Sequence, residues 1–205
     1  VVGAYICVKL GGLYMDWHVR LGCATLGLLA FRLIWGFIGP RYARFSRLLN
    51  GPRAILDYVR GGQRAAGHNP LGAYSALAML LVLLFQACSG LFADDEIITQ
   101  GPLAQYVDAS VSSRLTALHR LDEWVLLILI GLHVAAVLWY TLARRQNLIA
   151  SMITGDAPVA QLPPATQPAE DSWRIWLKAL ILALAATALV WALQNLPALG
   201  MAGAA

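Results

Sequence analysis

The chain has 205 residues, of which 59% are hydrophobic and 13% charged, and its mean hydropathy is +0.63. Soluble domains carry about 25% charged residues, so this composition excludes an ordinary water-soluble domain and places the chain in a membrane as one domain. The net charge of +4 does not call for nucleic acid, because the basic residues cluster beside apolar runs. Cys7, Cys23 and Cys88 form no CxxC or CxxCH pattern, so neither a zinc site nor covalent c-type haem is indicated.

The opening stretch VVGAYICVKL is apolar but about half the length a spanning helix requires. We read it as the rear part of a first transmembrane helix, ending at Lys9 and a Gly11-Gly12 turn. A second span is expected from about Trp17 to Ile38, closed by Gly39-Pro40. Residues 41–64 carry Arg41, Arg44, Arg47, Arg53, Arg60 and Arg64 against a single acid, Asp57, with apolar positions between them. That pattern predicts an amphipathic helix at the membrane surface.

A third span is expected from about Leu71 to Phe92, with Asn69 as cap and Pro70 at the first helical position. An acidic loop is expected over residues 93–116, holding Asp94, Asp95, Glu96 and Asp108 against Arg114. The fourth span, Leu118 to Leu142, ends near Arg144-Arg145. A segment with Pro158, Pro163, Pro164 and Pro168 then breaks any helix before a fifth span from about Trp173 to Leu196. The fifth span is apolar all round, has no histidine and suits packing or contact with a partner. Basic residues stay in the cytoplasm, so residues 41–64 lie inside and the acidic loop outside.

The fourth span carries His119 and His133. Fourteen residues make nearly four helical turns, so the two rings leave almost the same face, roughly 21 Å apart along the axis. One imidazole stands near each membrane surface. Ionisable groups at such positions are costly and usually functional. Two same-face histidines at opposite depths suit two haem irons stacked across a membrane; two interhelical hydrogen bonds are the plainer alternative. His18 enters the second span at the depth of His119, and a pair of imidazoles from neighbouring helices fills both axial positions of a b-type haem iron. With no vacancy left for oxygen, such a haem carries electrons. An interfacial histidine is the alternative for His18.

His133 needs an inner partner. Either a histidine in the front of the first helix, upstream of Val1, or His68 supplies it. His68 precedes Asn69-Pro70 and is better placed to bond a haem propionate or a quinone head group, or simply to cap the turn. Arg32 lies fourteen residues beyond His18, on the same face and roughly 21 Å deeper. An inner haem propionate is a suitable anion for it; snorkelling to the inner surface is the alternative. Arg20 and Arg120 flank the outer histidines and could serve the outer propionates in the same way.

The succession DWHVRLG, FRLIWGFIGPRYARF, GHNPLG, GLFADDE and LHRLDEWVLLILIGLHVAAV resembles the bacterial cytochrome b-561 family, including the cytochrome b subunits of nickel–iron hydrogenases. The resemblance covers about Val1 to Gly155. It implies an all-α integral membrane helical bundle, with a four-helix di-haem core whose first helix is truncated here, plus a fifth C-terminal transmembrane helix. It implies haem b, two groups expected, with metal ligands His18, His119 and His133. The family's first-helix histidine has no counterpart in this chain, which leaves the inner haem one assigned ligand short. The organisation expected is a cytochrome b haem-binding domain over residues 1–155, a proline-rich linker over 156–172 and a C-terminal helix and tail over 173–205.

The function the resemblance implies is electron transfer between the quinone pool and a periplasmic or membrane-bound redox protein, such as a c-type cytochrome or a hydrogenase. The chain would act as a quinone-linked oxidoreductase subunit in the bacterial inner membrane rather than as a stand-alone enzyme. A non-catalytic membrane anchor subunit of a larger respiratory or photosynthetic assembly is the competing reading. A transporter finds no support in a broken helix pair or an internal repeat.

Overall fold

The computed structural model describes residues 1–48, 51, 53, 56, 60, 70–143 and 172–202. Within them the chain is helical. Helix α1 spans Val2–Leu10 and α2 spans Tyr14–Ile38. A 3-10 turn at Arg41–Ala43 and a short helix α3, Phe45–Leu48, follow. Helix α4 is Pro70–Gly90, α5 is Ala109–Leu142 and α6 is Trp173–Ala202. Among the described residues, α2, α4, α5 and α6 are long and apolar enough to cross a membrane. The result is an all-helical, multi-pass membrane bundle.

Tight hairpin geometry joins α1 to α2. Gly11 and Gly12 have φ of 66° and 56°, a left-handed conformation that residues with a Cβ rarely adopt. The Gly11 N–H closes α1 on the Cys7 carbonyl, and the Tyr14 N–H opens α2 on the Gly11 carbonyl. The turn folds α1 back along α2, bringing Ala4 beside His18.

Helix α2 is the centre of the bundle, packed against α1, α4 and α6. Its buried residues are small or slender: Cys23, Gly27, Leu29 and Gly36. A Cβ at Gly27 would collide with Val190 of α6, and one at Gly36 would collide with the Phe45 ring. Glycine at these positions lets the neighbouring elements approach, as small residues do between membrane helices. Cys23, Leu91 and Leu193 form a buried cluster flanked by Val19, Phe92, Leu103 and Val190. That cluster is where α6 joins the other helices, consistent with the packing role read for the fifth span. Many large apolar side chains face outward instead, Leu28 and Phe37 on α2 and Trp191 on α6 among them. This distribution suits lipid contact.

Two helix starts differ from expectation. The acidic loop ends at Asp108 rather than near residue 116, because α5 begins at Ala109, nine residues before the apolar run. Polar residues in those first turns hold the loop: Ser112 Oγ donates to the Phe92 carbonyl at 2.8 Å, and Thr116 Oγ1 accepts from the Asp94 N–H at 3.0 Å. Helix α2 likewise starts at Tyr14, three residues early. The surface helix expected over 41–64 begins as the Arg41–Ala43 turn and α3. Most of its remainder lies outside the described residues, as do His68, Arg144, Arg145 and the proline-rich linker up to residue 171.

Candidate functional site

Helices α1, α2, α4 and α5 enclose a cavity of about 240 Å³ that is lined by both His18 and His119. The two imidazole centroids are 6.2 Å apart, with ring planes 86° to each other. Each ring is anchored by a main-chain carbonyl from a neighbouring helix. His18 Nδ1–H donates to the Ala4 carbonyl on α1 at 2.9 Å, and His119 Nδ1–H donates to the Gln86 carbonyl on α4 at 2.9 Å. Helix carbonyls are available to side chains only where the helical ladder shares its acceptor, so both contacts depend on close helix packing.

That pairing has a chemical consequence. A histidine whose Nδ1–H is committed to a carbonyl presents Nε2 as its free lone pair, the usual preparation of a metal-ligating imidazole. Metal–imidazole bonds are about 2 Å long, so two such rings on one metal sit with centroids on the order of 6 Å apart. The observed separation matches this requirement. Gly22, one turn after His18, lines the cavity, and a Cβ there would meet nothing within 4 Å. The missing side chain leaves an open flank beside His18, as a flat macrocycle requires.

Helix α4 shapes the His119 side. A Cβ on Gly90 would stand 2.8 Å from His119 Cε1, so only glycine accommodates the ring in its present place. The buried Ser89 hydroxyl donates to the Gln86 carbonyl at 3.1 Å and lies 3.2 Å from His119 Nδ1. The Gln86 amide packs 3.3 Å from His119 Nε2. With its NH₂ turned toward α5, it donates to the His119 carbonyl and to Asp122 Oδ2, both at 3.0 Å, and its Oε1 is then the atom that faces His119 Nε2. A metal at Nε2 would take over the contact that Gln86 makes with that nitrogen.

The cavity rim is polar. Asp94, Asp95 and Thr99 line it from the loop, and Thr116, Arg120 and Glu123 line it from α5. Lys9 Nζ bonds Glu123 Oε1 at 2.9 Å and ties the end of α1 to α5 one turn past His119. At this exposed position solvent screens the pair, so its role is to position α1 rather than to stabilise the fold. Burial pushes the Asp95 carboxyl up, but the N–H groups of Ile97, Thr99 and Ile98 outweigh it, and the net effect lowers its pKa from the ordinary carboxylate range. All three donate to one oxygen, at 3.0, 2.8 and 2.9 Å.

Of the other sequence candidates, His133, Arg32 and Arg20 do not line this cavity. His133 is half-buried on α5, and the described residues bring no second histidine to it. Among the described residues, no cluster of three or more His, Cys, Asp or Glu side chains suits a metal ion. Arg32 Nη1 donates to the Ala43 carbonyl at 3.2 Å, and its guanidinium sits 4.8 Å from the Phe45 ring centroid. Both partners follow α2, in the direction expected for snorkelling. A guanidinium has five N–H donors, so others remain for an anion. Arg120 lines the cavity, whereas Arg20 lies over the Trp17 ring.

Sequence reasoning missed Gln86, Ser89 and Gly90. Their signal was a polar pair three residues apart near the end of an apolar span, with glycine one turn beyond Gln86. The Lys9–Glu123 pair carried no signal, because the two residues are distant in sequence.

A transmembrane helical bundle that lines one internal cavity with two carbonyl-anchored imidazoles has the layout that suits a membrane b-type haem protein. Residues 3–155 match the family model described as prokaryotic cytochrome b561. The chain belongs to that family, whose members are membrane electron-transfer proteins. It is also 25% identical over 150 residues to the probable Ni/Fe-hydrogenase B-type cytochrome subunit of Azotobacter chroococcum mcd 1. That match covers 64% of this chain and 62% of the relative. No solved structure matches the chain.

Proposed function

We propose that the protein is a di-haem b cytochrome of the bacterial inner membrane that passes electrons between membrane quinone and a periplasmic or membrane-bound redox partner. The observation that carries this reading is the pair of imidazoles 6.2 Å apart with both Nδ1 atoms committed to carbonyls. His18 and His119 would hold the outer haem b, and His133 one side of the inner haem. When bound, the haem would supply a reversible one-electron couple.

The chain's own residues account for the rest. The Ala4 and Gln86 carbonyls fix the ring orientations and the tautomers. Gly22 and Gly90 leave space beside the two rings. Arg120 is placed to meet an outer propionate. The Lys9–Glu123 contact holds α1 against α5 along the cavity edge. Arg32 would meet an inner haem propionate, and His68 a haem propionate or a quinone head group. Residues 1–155 form the haem-binding unit, 156–172 the linker and 173–205 the packing helix.

The name of the Azotobacter relative supports a hydrogenase as the electron partner, and a c-type cytochrome is the alternative. Pyridine haemochrome analysis of protein isolated from its native membrane tests the reading. Two haems b per polypeptide are expected. None would leave the membrane-anchor reading in its place.

A further inference from the structure

The loop between α4 and α5 is built more firmly than its position at a membrane surface requires. Asp94 and Gln100 form a bridge, and the Gly101 N–H donates to the Ala93 carbonyl at 2.7 Å. Asp95 closes the tip by accepting three consecutive N–H groups, and the Gln100 amide donates to Asp94 Oδ2 at 2.9 Å. A Cβ at Gly101 would strike the Gly90 and Leu91 carbonyls, so the base of the loop is locked onto the end of α4. At the tip of this frame stand Ile97 and Ile98, 82% and 83% exposed.

These isoleucines differ from the outward-facing apolar residues of the spans. They lie in the loop, beyond the end of the apolar helix α4. Residues 93–108 contain Asp94, Asp95, Glu96 and Asp108 and no basic residue. The frame also reaches the candidate haem, because Asp94, Asp95 and Thr99 line the cavity that holds His18 and His119. A fixed apolar tip with an acidic surround, next to the outer imidazole pair, has the shape of a docking surface. Acids beside the tip disfavour insertion among anionic lipid head groups.

We propose that Ile97 and Ile98 dock a water-soluble redox protein whose contact face is an apolar patch ringed by lysine or arginine. The inference rests on the reading of the cavity as a haem site. The exchange is a single electron: one leaves the reduced protein and reduces the oxidised one-electron centre of the partner, a ferric iron in the probe used below. The apolar contact sets the residence time, and the acids steer the encounter, so the reaction rate falls as salt rises.

The test uses the purified full chain in nanodiscs, reduced and then mixed with a ferric, lysine-rich cytochrome c in a stopped-flow instrument. The wild type is expected to react in a strongly salt-dependent manner. Ile97→Ser combined with Ile98→Ser should lower the second-order rate constant about tenfold, and Glu96→Lys should flatten its salt dependence. Haem content and the reduced spectrum are recorded on the same samples. Variants that match the wild-type rate overturn the proposal, as they would if the isoleucines served a lipid surface. A wild-type reaction without salt dependence overturns the lysine-ringed partner. Absence of a b-type spectrum in the wild type marks failure of the haem reading itself, distinct from failure of docking.

Discussion

Gly90→Ala separates the demands of the helix from those of the site. The added methyl group would stand 2.8 Å from His119 Cε1 and 3.3 Å from its Nδ1. The ring must retreat roughly half an ångström to regain ordinary packing distance, because interiors have little slack. That movement stretches the 2.9 Å bond from Nδ1 to the Gln86 carbonyl, a contact worth about 0.5–1.5 kcal/mol. Loss of an outer contact of this kind typically costs a metal site about 10–100-fold in affinity. The helix itself does not object: alanine is favoured over glycine by up to about 1 kcal/mol in a helix interior, and by less at the last residue of α4. The expected result is a protein that inserts and folds as before but loses outer haem on dilution or mild heating. Haem retention and the reduced α-band, followed beside circular dichroism, make the measurement. Unchanged haem retention with an unchanged spectrum would refute the idea that α4 positions the His119 ring.

Two further outcomes follow from the geometry. The Asp95 carboxyl has a folded pKa below its unfolded value, so its contribution to the loop is present above the unfolded carboxylate range and is lost as pH falls through the folded value. Hydrogen exchange at the Ile97, Ile98 and Thr99 amides should therefore lose protection on acidification below about pH 4, and Asp95→Asn should remove that pH dependence. If Arg32 serves an inner propionate, Arg32→Leu removes a positive charge near one haem and lowers its midpoint potential, with about 59 mV for each tenfold change in the preference for the reduced form. Redox titration that leaves both potentials unmoved would confine Arg32 to its Ala43 and Phe45 contacts.

The bundle was legible because lipid selects for long apolar helices and punishes charge within them. Pro70 opens α4, Gly11-Gly12 makes the first hairpin and Gly39-Pro40 ends α2, all in the places expected from backbone chemistry. The start of α5 was not legible. Ala109 to Ala117 includes serines, threonine and arginine, and its value to the fold lies in bonds to the loop rather than in apolar periodicity. Their places at the outer ends of the second and fourth spans drew attention to His18 and His119 as residues at one depth, and the structure places their rings in one cavity. The Ala4 and Gln86 carbonyls that orient those rings could not be read, since every residue has a carbonyl and only packing decides which one is in reach. Gly90 was invisible for a related reason: its importance lies in the side chain it leaves room for on another helix.

The central claim is that His18 and His119 share one iron while His133 belongs to another. Haem b per polypeptide, measured by pyridine haemochrome on His18→Ala, His119→Ala and His133→Ala with a redox titration of each, tests it most directly. The account predicts that the first two variants lose the same haem, identified by its midpoint potential, and that the third loses the other. Loss of different haems from His18→Ala and His119→Ala, or retention of both haems in either, would contradict it.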